Sequence, residues 1–485
     1  MSDSSHFGEC NRFLQLSDEF MSWLKQRPGV KVSPKIKIAD LRSEGAGRGI
    51  VADDDIGEDE ELFAIPQSLV LSFQNSRLKD LLDFNERDFD PWLCLIVVMI
   101  YEYLQGGAST WSRYFQLLPT NFDTLMFWTD EELRELSGSA VLNKIGRSDA
   151  EANIFRNILP LVSGNPSLFP PMSGVASFDS PEGKAALLSL AHRMGSLVMA
   201  YAFDIEKGEN DGREGQDGYV TDDEEELSKG MVPLADLLNA DADRNNARLF
   251  QEDCYLSMRS IKPIRKGEEI FNDYGELPRA DLLRRYGYVT DNYAQYDEVE
   301  ISMRSICYAA GIPSAIPGPE HPHLEFLENM GVFDDGYSIP RLNLNTPVME
   351  VFPEELLIAL NVLTMPPDQF NQLKMNNKVP KPRLGVTEAT LLATAVQQTL
   401  WDYTTTLEKD KDLLTSISNI QESTHSTASA RRFKMALQVR IGEKQILSQV
   451  LTALGDFDAH QGQVFDNSKR SAEIVTRSGE KRRKL

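Results

Sequence analysis

Cysteine is scarce. The 485 residues hold only Cys10, Cys94, Cys254 and Cys307, far apart and with no CxxC pair. That spacing argues against a disulfide framework and against a thiolate zinc site, and it suits a reducing intracellular compartment. Histidine offers no better ligand set. Of six, only His321 and His323 stand close together, flanked by prolines, so no metal is expected. Long apolar runs are also missing: the longest, Trp92 to Tyr101 (WLCLIVVMIY), is about half the ~20 residues a membrane-spanning helix needs and reads as a buried core helix. No membrane association is expected, and the opening MSDSSHFGEC lacks the basic-then-apolar order of a signal peptide. Positive charge is in deficit, with 50 Lys and Arg against 74 Asp and Glu and a net charge of −24. A direct nucleic-acid partner would require the opposite balance. The acidic surface suits a basic protein partner, and read by itself it serves solubility equally well.

What is present is an ordinary globular composition, 41% hydrophobic and 26% charged. The length exceeds the ~250–300 residues at which single cores divide, so two folded domains are expected. Residues 12–27 carry Phe13, Leu16, Phe20 and Leu24 at helical spacing, and we assign 1–33 to an N-terminal helix. Alternation in KIKIADL (35–41) predicts a strand, as do GIVA (49–52) and ELFAI (61–65). From about 91 to 206 the pattern turns helical and bulky. A low-hydrophobicity acidic segment follows, read as a surface loop at 206–229. Strand patterns return at ARLF (247–250), YLSMRS (255–260) and EIFND (269–273), with a turn at Arg265-Lys266-Gly267. Beyond 296 the chain reads as helices at 353–363, 387–407 and 428–455, and residues 457–485 form a polar tail ending in KRRKL. The predicted class is therefore α+β.

The glycine-rich EGAGRG (44–49) invites comparison with dinucleotide-binding loops, but the helix such a loop must open is replaced here by turn and strand. Its meaning comes from two later segments, MVPLADLLNA (231–240) and IKPIRKGEEIFNDYG (261–275), followed by LLRRYGY (282–288). In that order the three resemble the SET-domain lysine methyltransferases, in the branch related to the Rubisco large-subunit methyltransferase. The resemblance extends to LVMAYAF (197–203), PWLCL (91–95) and MALQVRIGEKQIL (435–447), nearly the whole chain. It implies a β-rich SET core over 34–290 with a helical insertion at about 80–230, then an all-α substrate-binding domain over 296–456. It implies S-adenosyl-L-methionine as methyl donor, bound by Ala46, Gly47, Arg48, Tyr201, Asn239, Ala240, Tyr274 and Tyr286. It makes Tyr274 the catalytic residue, and it sets Trp92, Ala202 and Asp236 near the lysine channel.

Ala240 departs from the family, where His commonly follows the Asn; the same "LNAD" occurs in the branch's ribosomal members. A side-chain stack on adenine is lost by that change, whereas a backbone contact survives it. The resemblance implies a monomeric enzyme acting on a basic large-subunit ribosomal protein. A histone or a signalling protein is the alternative substrate, and an inactive SET scaffold that binds basic proteins is the alternative of another class. The KRRKL end reads as a nuclear import signal or a plain polar tail, so the expected location is the nucleus, with the cytoplasm also open. Taken singly the motif residues have plainer uses: Tyr274 as a core aromatic, Asn239 as a helix cap, Asp236 as a surface carboxylate.

Overall fold

The computed structural model describes residues 3–42, 47–82, 89–205, 228–252, 254–312, 321–343, 348–421 and 427–455. Ala46, nearly all of the acidic segment 206–229 and the polar tail with KRRKL lie outside these residues. Two compact units emerge. One comprises the chain up to Phe127 with Gly146–Glu276 and Arg285–Gly287; the other comprises Trp128–Ile145, Leu277–Arg284 and the chain from Tyr288 on.

In the first unit, the alternating IKIADL forms β2 (Ile36–Leu41), with Ile36 and Ile38 turned inward and Lys37 outward. It pairs antiparallel with β3 (Gly47–Ala52), so that Ile38 faces Ile50 and Leu41 faces Gly47. The glycines of the 44–49 motif that are described thus open a strand rather than a free turn. A four-stranded antiparallel sheet runs in the order β1 (Lys31–Val32), β4 (Glu61–Pro66), β8 (Tyr255–Ser260), β7 (Ala247–Glu252). The central β4 is buried on both faces, which explains its unbroken LFAI; the edge strand β7 carries Arg248, Gln251 and Glu252 outward.

The WLCLIVVMIY run is the helix Pro91–Leu104. Asp90 caps it by accepting from the Leu93 amide at 2.8 Å, and Pro91 occupies the first turn, where no amide is missed. Leu95, Val97, Val98 and Ile100 are all within 1% of full burial, each worth about 1.5–3 kcal/mol of transfer free energy. The N-terminal helix (Asp3–Lys25) joins the same core through Phe20 and Leu24. The long helix Pro181–Tyr201 stops at Tyr201, and the chain turns extended at Ala202 to make β5 (Ala202–Ile205), paired with β6 (Ser228–Met231). Two residues read as acidic loop, Ser228 and Lys229, therefore belong to a strand.

One strand expectation fails. EIFND makes only single bridges, Val51 to Glu269 and Ala240 to Asn272, because it passes from one partner segment to another within four residues. Each partner is met once, so no ladder builds.

The second unit holds the expected helices at Glu354–Thr364, Val386–Trp401 and Ala428–Gly455, packed with Met303–Ala309 and Pro322–Asn329. It is not purely helical: β9 (Glu298–Ser302) and β10 (Gly336–Pro340) form an antiparallel pair. Neither was expected, since strands this short leave little periodic signal. The helix expected at 387–407 ends at Trp401, and a further helix, Leu407–Gln421, follows it.

Candidate active site

The three motifs meet in the first unit. The Asn239 side-chain amide donates to the Arg48 carbonyl at 2.9 Å and to Glu269 Oε1 at 2.7 Å, joining segments 191 and 30 residues away. The 239–241 segment runs beside 272: the Asn272 amide donates to the Asn239 carbonyl at 2.8 Å and the Asp241 amide to the Asn272 carbonyl at 3.2 Å. Asn246 clamps the same segment, donating to the Glu269 carbonyl and accepting from the Phe271 amide. Tyr274, just beyond, donates its hydroxyl proton to the Leu238 carbonyl at 3.1 Å and stacks on Tyr286, ring centres 4.5 Å apart and nearly parallel. Gly49 lies where these elements crowd. A Cβ there would stand 2.6 Å from Leu41, 2.7 Å from Glu269 and 3.1 Å from the Asn239 amide, so any larger residue would have to push these side-chain ends aside.

Beside this lies a buried polar cluster. Arg48 donates to the Leu117 carbonyl at 2.7 Å and lies over the Tyr201 ring at 5.4 Å. Tyr114 donates to Asp236 Oδ2 at 2.6 Å, and Phe20 of the N-terminal helix backs the Tyr114 ring. Burial raises the Asp236 carboxyl to about 6, against the pull of the Arg48 charge and the Tyr114 hydroxyl. Burial and the Asp236 charge together drive the Tyr114 hydroxyl well above its usual range, and burial raises that of Tyr201. Arg48 Nη2 and Asp236 Oδ1, both buried, have no hydrogen-bond partner among the described residues. Just upstream, Leu234 holds φ at 79°, a left-handed backbone that a leucine adopts only under constraint. Strain, an orphaned carboxylate oxygen and a displaced acidity coincide between Leu234 and Asp236, as at sites built to receive a ligand.

The structure thus brings together Gly47, Arg48, Tyr201, Asp236, Asn239, Ala240, Tyr274 and Tyr286. Asp236 is 2% exposed, which rules out the surface carboxylate. Ala202 opens β5 directly after Tyr201. Trp92 begins its helix 37% exposed, with the Lys229 ammonium over its ring at 5.1 Å. Sequence reasoning missed Tyr114 and Glu269. Tyr114 carries no motif signal; Glu269 lies inside the quoted GEEIFNDYG, and its pairing with Asn239 is a tertiary fact. His321 and His323 stack on each other in the second unit, and His323 stacks on Phe370. Among the described residues no cluster suited to a metal ion is found, and no helix is long and apolar enough to cross a membrane.

Comparison with known proteins agrees with this geometry. The family model for the SET domain matches residues 47–275, and that for the Rubisco LSMT substrate-binding domain matches 324–447. Ribosomal lysine N-methyltransferase 4 of Saccharomyces cerevisiae is 34% identical over 61% of this chain, a match spanning 60% of the yeast protein. N-lysine methyltransferase SETD6 of Mus musculus is 30% identical over 89% of each chain. Among solved structures, Rubisco LSMT bound to sinefungin and monomethyllysine superposes with a TM-score of 0.64 at 20% identity, over 95% of this chain and 99% of that one. Rubisco LSMT bound to AdoMet superposes with 0.63 over the same shares. The likeness of fold covers nearly the whole chain, and the chain belongs to the SET-domain protein-lysine methyltransferases that carry a Rubisco LSMT-type substrate-binding domain.

Proposed function

We propose that this chain transfers a methyl group from S-adenosyl-L-methionine to the ε-amine of a lysine in a basic protein, with a large-subunit ribosomal protein as the substrate. The observation that carries the reading is the convergence of the three motifs, with the Asn239 amide on the Arg48 carbonyl and the Tyr274 hydroxyl on the Leu238 carbonyl. The donor's chemistry fits the residues present: a buried guanidinium nitrogen and a buried carboxylate oxygen without partners suit a zwitterionic amino-acid end. Gly47, Arg48, Tyr201, Asn239, Ala240 and Tyr286 would hold it, with Ala46 assigned to the same set from its motif. When bound, the donor supplies a sulfonium methyl group, which an uncharged amine displaces.

Everything else falls to this chain. A lysine of ordinary pKa ~10.4 must shed a proton before it can attack, and a dry, aromatic-walled approach past Tyr274 and Tyr286 favours the uncharged amine. The Tyr274 hydroxyl directs its proton to the Leu238 carbonyl, so its oxygen acts as the acceptor that orients an amine N–H. Positioning of that kind supplies much of the rate of a displacement reaction. Trp92 and Ala202 would line the approach to the channel, and Asp236 would hold its wall through Tyr114.

The ribosomal substrate is supported by the name of the yeast relative and by the net charge of −24, which attracts a basic partner. A tritiated donor supplied with large ribosomal subunits from a strain lacking this protein tests it. Label should enter one ribosomal-protein band with the intact enzyme and not with Tyr274→Phe. Label in core histones or a signalling protein instead would move the substrate class. No label anywhere, with the donor still bound, would leave a SET scaffold. The enzyme is read as a monomer, which light scattering checks. KRRKL, read as an import signal, makes the nucleus the working compartment. A tagged protein lacking 481–485 should then shift toward the cytoplasm.

A further inference from the structure

Lys229 and Asp204 stand directly opposite each other on β6 and β5, their charged groups 2.5 Å apart. The same ammonium lies over the Trp92 ring at 5.1 Å. An aromatic face and a carboxylate converging on one cation is the arrangement that recognises Lys or Arg side chains. Its place is informative. β5 leaves the helix end at Tyr201, under Arg48, and Asp204 lies two residues past Ala202 on the same strand face, roughly 7 Å on. Gln251 donates to the Asp204 carbonyl at 2.6 Å and fixes the backbone there.

As a structural pair it contributes little. The Asp204 side chain is 56% exposed and Trp92 37% exposed, so solvent screens the attraction. Asp204 and the open face of Trp92 are thus within reach of a second cation, which must push aside the Lys229 ammonium, whose side chain is 19% exposed. Replacing one cation by another leaves the carboxylate and the ring no less satisfied, and a guanidinium does better than an ammonium. It stacks flat on an indole and grips a carboxylate through two parallel N–H bonds.

We propose that Trp92 and Asp204 form a seat for an arginine that flanks the target lysine of the substrate, and that Lys229 fills this seat until substrate displaces it. The proposal rests on the methyltransferase reading above and deepens it by naming a sequence preference. Lys229 thereby becomes an internal competitor that discourages lysines lacking a basic neighbour.

The test uses the full chain and two fluorescein-labelled nonapeptides. Each has a central lysine, with arginine or alanine at the two positions on either side, and binding is read by anisotropy with S-adenosylhomocysteine present. The intact enzyme should bind the arginine peptide roughly fivefold more tightly than the alanine peptide. Asp204→Asn should bring that ratio close to one. Lys229→Met should tighten the arginine peptide by about threefold, since the competitor is gone. Trp92→Leu should lower the ratio, and Trp92→Phe should largely restore it. Equal binding of the two peptides by the intact enzyme, binding of neither, or an unchanged ratio in Asp204→Asn overturns the seat. Tritium incorporation from the donor is scored separately. Its failure would count against the methyltransferase reading, while the peptide ratio decides the seat.

Discussion

Each unit of this protein buries a cluster of charged and hydroxyl side chains, and the two clusters are finished differently. In the second unit Asp410 accepts from Thr405 at 2.6 Å, from Arg440 at 2.9 Å and from Lys444 at 2.6 Å. Glu443 accepts from Ser139 at 2.6 Å and from Tyr403 at 2.9 Å. Every side-chain nitrogen and oxygen of Asp410, Arg440, Glu443 and Lys444 has a hydrogen-bond partner. In the first unit Tyr114 and Asp236 are equally withdrawn from water and Arg48 and Tyr201 half-buried beside them, yet the buried Arg48 Nη2 and Asp236 Oδ1 are left over. Both clusters shift acidities by burial, to about 6 for Asp236 and about 7 for Glu443. A displaced acidity therefore does not distinguish a site from a brace. Unspent hydrogen-bonding capacity beside the motif residues separates these two clusters, because a buried polar atom left without a partner costs about 1–3 kcal/mol unless a ligand supplies one.

The comparison breaks most visibly in the saturated cluster. Asp410→Ala removes the acceptor shared by Arg440 and Lys444 and leaves two buried cations, so stability should fall by about 3–5 kcal/mol. Differential scanning calorimetry should show the transition of the second unit lowered by roughly 8–15 °C. A shift under 2 °C would mean that the cluster is not a brace. The open cluster's neighbour should answer the opposite way. Tyr274→Phe removes one hydroxyl from the surface of the site, so turnover should drop by roughly a hundredfold with melting almost unchanged. Near-normal methylation by this variant would withdraw the catalytic assignment.

Acidity offers a third contrast. Glu443 holds its proton more tightly folded, at about 7, than unfolded, near 4.5. Its stabilisation is thus complete below pH 4.5 and disappears as pH rises through 7, on the order of 3 kcal/mol. Glu443→Gln keeps a neutral group there, and its melting temperature should fall less steeply between pH 4.5 and 7. Parallel pH profiles for the two proteins would count against the assigned acidity. The smallest effect is expected at Glu269. Glu269→Gln weakens one of the hydrogen bonds that aim Asn239, for about 1 kcal/mol and a fewfold loss of donor affinity by titration calorimetry. Unchanged affinity would mean that Glu269 does not aim Asn239.

Much of the architecture was legible beforehand. KIKIADL alternates, and it is a strand with its isoleucines inward. The apolar run at 92–101 is a buried helix, as its length implied. The helix Ala428–Gly455 appears with the bounds expected, since 28 residues of helical periodicity outweigh local ambiguity. The pair β9–β10 was not visible, and the strand expected at 269–273 dissolved into two bridges. The helical periodicity of 428–455 does not single out Arg440, Glu443 and Lys444, all three almost fully buried.

The amino-acid order alone determined the family and the residues of its motifs, because Gly47, Asn239 and Tyr274 are short-range signatures carried by neighbouring residues. It also determined the long elements, whose periodicity is a property of one segment. Tertiary structure alone decided which polar side chains are spent on each other and which remain for a ligand. Hydrogen-bond satisfaction depends on atoms within about 3 Å in space, and Tyr114 reaches Asp236 across 122 residues of chain while Ser139 reaches Glu443 across 304.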